Sequence, residues 1–126
     1  MSWLISAFEP IPALDSLWIA RTLAAKAIVA LTDSGSTALW MSRHRIHIPI
    51  YALTPKLATQ RKMALYRNVR PLLMDQNAER DMALADAEGH LKQRGILSAG
   101  DIYAITCGEP MGAPGGTNML KICRAE

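Results

Sequence analysis

Cysteine is scarce in this chain, with two among 126 residues, so neither a disulfide scaffold nor a four-cysteine zinc site is available. No apolar run approaches the ~20 residues that cross a bilayer; the most apolar stretch, residues 24–31, carries Lys26. The first residues lack the basic region and small-residue cleavage site of a secretory signal, which places the expected location in the cytoplasm. No Gly-x-Gly-x-x-Gly or Walker lysine pattern is present, so a nucleotide site has no support. The charge excess is small, 14 basic against 11 acidic residues, which permits an anionic ligand and does not imply nucleic acid.

What is present is apolar sequence enough for one core. Hydrophobic residues make up 50% and charged residues 20%, the balance of a single folded domain. Residues 1–12 read as an N-terminal arm that packs on something, or as the remnant of a preceding region. Trp3, Leu4, Ile5 and Phe8 can share a helical face, and Pro10 and Pro12 end any helix. A short helix is expected from Asp15 or Ser16 to about Ala24. Ala27–Leu31 is short, apolar and unalternating, as a strand buried on both faces must be.

The pattern then alternates. Helix is expected over 38–45, strand over 48–53, and helix from a Thr54 cap with Pro55 at its first position to Tyr66. Asn68 is placed to end that helix in the left-handed conformation. Strand follows over 69–74, near an edge because of Pro71. Helix covers 77–94, with Glu79 and Asp81 in the first turn and Lys92 and Arg94 in the last, as the helix dipole favours. Strands at 102–106 and 119–123 close the chain. A connection without a helix makes the last strand antiparallel. The expected fold is a three-layer α/β/α sandwich over residues 13–126, with a five-stranded mixed sheet. Its last strand is expected at an edge, where apolar Met119, Leu120 and Ile122 need a cover.

One loop carries chemistry. Thr32, Ser34, Gly35, Ser36 and Thr37 follow the first buried strand and lead into a helix, the position where open α/β sheets bind ligands. Hydroxyls, backbone amides and a glycine that permits close approach suit a phosphate. The same residue types also start a capped helix with no ligand. Other features carry less. Arg43, His44, Arg45 and His47 cluster at a helix end, where cations meet the dipole. Two histidines without a third ligand do not make a metal site. A small enzyme using His44 as base would lack a partner nucleophile. Cys107 and Cys123 have no adjacent base and read as packing residues. No catalytic or metal residue is assigned.

Three ordered stretches resemble the C-terminal domain of pyruvate kinase, bacterial type. They are AKAIVALTDSGSTAL, IPIYALTPKLATQRKMALYRNVRPLLM and GDIYAITCGEPMGAPGGTNMLKI, in the family's order. The resemblance implies a regulatory and oligomerisation domain. Its effector, a sugar monophosphate or other phosphate compound, would sit on Thr32, Ser34, Gly35, Ser36 and Thr37. Gly108, Glu109, Gly115, Gly116 and Thr117 would form the second wall. That wall carries Glu109 and no basic residue, so one phosphate fits better than two. Asp33 stands where several family members have lysine, and a carboxylate facing a phosphate repels it. The family's catalytic site, with its Mg²⁺ and K⁺, lies in a preceding barrel with no counterpart here, so no cofactor is expected in this domain. The implied assembly is a homodimer or tetramer through the C-terminal strand, with no nucleic acid or membrane partner. The alternative is a free-standing phosphate-ligand binding protein without catalysis.

Overall fold

The computed structural model describes residues 2–7, 24–43, 47–75, 80–107 and 119–126. The helix expected from Asp15 or Ser16 lies outside them up to residue 23, and Ala24, its expected end, stands in a turn at φ +53°. The described elements are β1 (Ser2–Ala7), β2 (Ala27–Leu31), α1 (Ser36–Ser42), β3 (Ile50–Thr54), α2 (Leu57–Met63), β4 (Val69–Leu73), α3 (Arg80–Gln93), β5 (Ile102–Cys107) and β6 (Met119–Arg124).

Residues Ala27–Leu31 form the strand that the sequence pattern requires, and all five are buried. Alternate side chains serve two cores. Ala27, Val29 and Leu31 pack beneath α3 with Ala83, Leu84, Ala87 and Leu91. Ile28 faces the other way, with Ala38 and Met41 of α1 and Met63 of α2. A strand that feeds two cores cannot alternate polar with apolar, which explains its sequence. β5, β2, β3 and β4 run parallel to one another, with Ile28 opposite both Ile50 and Ala104. β6 returns antiparallel to β5. These five strands and the helices on their two faces are the expected three-layer α/β/α sandwich.

The sheet is larger than expected by one strand. Its order is β1-β6-β5-β2-β3-β4. β1 lies antiparallel on β6, with Ser2 opposite Arg124, Ala7 opposite Leu120 and a register shift between Trp3 and Ile5. One expectation is corrected here: β6 is paired on both sides rather than lying at an edge. The start of the arm, which the sequence leaves ambiguous, is a strand. The arm itself supplies the cover that an apolar edge requires. At the opposite margin β4 is an edge strand, as Pro71 indicated.

Helix boundaries differ in informative ways. α1 starts two residues earlier than expected, directly after Gly35. α2 begins at Leu57, with Lys56 as its N-cap residue in extended conformation, so Thr54 is not the N-cap. Thr54 belongs to β3, and its Oγ1 accepts from the Lys56 amide at 3.2 Å. That turn delays the helix by two positions. α2 also ends at Met63, short of Tyr66. Asn68 does adopt the left-handed conformation, at φ +60°. Its Nδ2 donates to the Ile48 carbonyl at 2.7 Å, and its own carbonyl accepts from the Ile50 amide. The turn is thereby fixed to the start of β3.

Candidate functional site

The parallel strands β5, β2 and β3 end side by side, and the 32–37 loop leaves the middle one. The Thr32 amide donates to the Leu53 carbonyl at 3.0 Å, extending the β2–β3 ladder one step past Leu31. Thr32 Oγ1 turns back and accepts from the Gly35 amide at 2.8 Å. Ser34 Oγ accepts from the Ser36 amide at 3.4 Å and donates to Ser36 Oγ at 3.2 Å. The Gly35 carbonyl accepts from the Leu39 amide and so begins α1. The structure thus brings Thr32, Ser34, Gly35, Ser36 and Thr37 into one tight turn. Two of its amides are met by its own hydroxyls.

Gly35 is required by this geometry. Its φ is +86°, and a Cβ there would lie 3.1 Å from Met63 Cγ. The turn is also tied to α2, because Thr59 Oγ1 donates to the Asp33 carbonyl at 2.9 Å. The Asp33 carboxylate does not stand unpaired beside the loop. Its Oδ2 lies 2.8 Å from Lys56 Nζ, in an ion pair across the ends of β2 and β3.

Thr106 is a residue that sequence reasoning missed. It sits near the C-terminal end of β5, opposite Ala30 of β2. By the alternation of the pleat it shares a face with Ala104, which packs with Ala38 and Met41 of α1. Thr32 is two residues beyond Ala30 on the adjacent strand. A strand spacing of about 4.8 Å and a two-residue rise of about 6.6 Å put the two Cα atoms roughly 8 Å apart. Thr106 is fully buried, and its hydroxyl has no hydrogen-bond partner among the described residues. Buried hydroxyls are nearly always paired, so this one is an exception. A lone threonine in a strand reads as an ordinary β-branched strand former, and only the packing distinguishes it.

The other face of the sheet carries a second polar cluster of different character. Tyr103 Oη donates to Glu88 Oε1 at 2.6 Å, both residues being buried between β5 and α3. Burial, followed by the bond to Glu88, raises the Tyr103 phenol far above its ordinary range. Cys123 is fully buried beside them, and burial pushes its thiol up to about 11. A thiol held protonated and out of solvent is not a nucleophile at neutral pH, in keeping with its reading as a packing residue. Glycines 108, 115 and 116, Glu109 and Thr117, the expected second wall, lie outside the described residues. So does His44. Among the described residues no helix is long and apolar enough to cross a membrane.

A sheet covered by helices on both faces, with a hydroxyl-rich turn at its parallel strand ends, defines a three-layer α/β domain. The family is specific. The family model described as pyruvate kinase, alpha/beta domain, matches residues 13–123, and the chain belongs to that family. Among similar proteins is the pyruvate kinase of Staphylococcus epidermidis, 42% identical over 103 residues. The pyruvate kinase of Staphylococcus aureus is 41% identical over 103 residues. Each alignment covers 82% of this chain and 18% of the relative, so the chain spans less than a fifth of the length of the curated relatives it matches.

Proposed function

We propose that this domain is the effector-binding and assembly part of a pyruvate kinase, the enzyme that moves phosphate from phosphoenolpyruvate to ADP. In this reading a sugar monophosphate, or another phosphate monoester, binds at Thr32, Ser34, Gly35, Ser36 and Thr37. The domain holds the ligand and performs no chemistry on it. The observation that carries the reading is the unpartnered, buried Thr106 hydroxyl at the same end of the sheet as that turn. It adds a second polar element on a neighbouring strand to a loop already rich in donors. Family membership supports the pyruvate kinase setting of the reading, because the turn lies within the matched residues 13–123.

Self-association belongs to the same proposal. The sequence points to the C-terminal strand as the contact, and in this structure β1 occupies its free side. Assembly through β6 therefore requires that β1 leave that position. With β1 in place, β1 is the outer strand available for pairing.

The binding reading is tested by calorimetry with inorganic phosphate and with a hexose monophosphate. A hydrogen bond to a charged group contributes about 1.5–3 kcal/mol, so Ser36→Ala or Thr37→Ala is expected to weaken binding roughly ten-fold or more. Equal affinity in wild type and both variants would overturn the assignment.

A further inference from the structure

We propose that the β4 margin of the sheet is a self-complementary surface on which a second copy of this chain docks across a two-fold axis, independently of the phosphate reading and of the β6 contact. β4 closes the sheet at the end opposite β1 and β6. Residues 70–75 read Arg-Pro-Leu-Leu-Met-Asp: a cation, four apolar residues and an anion. An identical stretch laid antiparallel, with the axis between Leu72 and Leu73, sets Arg70 of each copy opposite Asp75 of the other. The apolar residues then meet between the charges. A two-fold axis forms both charge contacts at once and closes the assembly at a dimer.

The charges at this margin lack partners within the chain. Arg70 and Asp75 are both exposed. The ion pairs among the described residues are Lys26 with Asp101 and Lys56 with Asp33. Arg70 is nevertheless held in place, its guanidinium lying over the ring of buried Tyr51 at 5.8 Å from the ring centre. An arginine already fixed by stacking loses little freedom when it meets a carboxylate.

The exposed apolar surface gathers at the same margin. Among the described residues the exposed large apolar side chains are Leu57, Leu65, Leu73 and Met82. Leu57 opens α2, Leu65 lies in the turn from α2 to β4, Leu73 ends β4, and Met82 is in the first turn of α3, the next helix. Leu65 is 89% exposed. Apolar residues exposed singly need no cover, whereas their concentration beside one strand marks an interaction surface.

The contact is one of side chains, because the margin is closed to a further strand. The Ile50 amide donates to the Asn68 carbonyl and the Met74 amide to the Thr54 carbonyl. The even-numbered residues of β4 therefore bond to β3, and residues 69, 71 and 73 turn their backbone groups outward. The Val69 amide donates to the Tyr66 carbonyl at 3.4 Å, and Pro71 has no amide hydrogen.

The test is sedimentation of the whole chain over a range of micromolar concentrations at low salt. Wild type is expected to dimerise. Arg70→Asp and Asp75→Arg each set like charges opposite one another at both ends of the contact, and each is expected to weaken association about ten-fold or more. An equimolar mixture of those two variants again opposes unlike charges at both ends, so it is expected to recover most of the wild-type association. Leu65→Ser, at a side chain outside the core, is expected to weaken association several-fold without changing the unfolding midpoint. Single variants that associate as wild type does would overturn the proposal, as would folded single variants whose mixture stays monomeric. Wild type that remains monomeric at high micromolar concentration would mean that a different protein covers this margin, and would overturn it too.

Discussion

Lys56 and Asp33 join the first turns of two successive strand-to-helix connections, Nζ to Oδ2 at 2.8 Å. Beneath that ion pair, Thr59 Oγ1 grips the Asp33 carbonyl, so the loop after β2 is attached to α2 by side chain and backbone together. The 32–37 turn is consequently a built feature of the fold, held from outside as well as by its own hydroxyls. Its rigidity is what would let it present donors to an anion at little entropic cost.

The turn depends on Gly35. Gly35→Ala places a Cβ in the left-handed region and 3.1 Å from Met63 Cγ. A left-handed non-glycine residue costs roughly 1–2 kcal/mol, before any displacement of Met63. Urea unfolding should show a loss of at least that size. A loss under about 0.5 kcal/mol would mean that the turn relaxes freely.

On the opposite face, Tyr103→Phe leaves the Glu88 oxygen without its donor in a buried position. The expected cost is about 1–3 kcal/mol. Glu88→Gln in the Tyr103→Phe background, which removes the carboxylate charge, should recover part of it. Thermal unfolding of the variants checks this, and an unchanged Tyr103→Phe midpoint would contradict the role given to the pair.

Acid stability has a local component at Asp101. Its carboxylate accepts from the Ser98 amide at 2.8 Å and from Lys26 at 3.0 Å. The Ser98 bond chiefly, and then Lys26, hold its pKa below the ordinary 3.8. A lowered folded-state pKa gives stability that is present above pH 3.8 and is lost as pH falls through the depressed value. Asp101→Asn should therefore be less stable than wild type at pH 5–7, with the difference shrinking toward pH 2. A difference that is constant over that range would count against the carboxylate's charge as the cause.

Removing residues 1–7 should change assembly. Without β1 the outer side of β6 is an unpaired edge with apolar residues in its sequence. Such an edge pairs with another chain or aggregates. Sedimentation of the truncated protein should show more self-association than the full chain at the same concentration. A truncated chain that stays monomeric would argue against β6 as a docking edge.

The sandwich and the turn were legible because their signals are local. Ala27–Leu31 is apolar at every position, and Asn68 is one of the few residues that tolerates positive φ. β1 was not legible, since contiguous Trp3, Leu4 and Ile5 fit a helical face as well as a strand. Only the open side of β6 decides between them. Thr54 misled in a similar way. Thr-Pro is a helix-start signal, yet here the hydroxyl caps the Lys56 amide while Thr54 stays in β3. The ion pair of Asp33 joins residues 23 positions apart, and the isolation of Thr106 is a property of packing. Neither leaves a trace in sequence spacing.

The central claim, that the 32–37 turn receives a phosphate group, is tested most directly by amide chemical shifts during a titration with inorganic phosphate. The account predicts saturable shifts concentrated at Ser34, Ser36 and Thr37, with a smaller response at Thr106 on the adjacent strand. The same titration with chloride at matched ionic strength should leave these amides in place. Shifts that are absent, or that cluster away from the parallel strand ends, would contradict it.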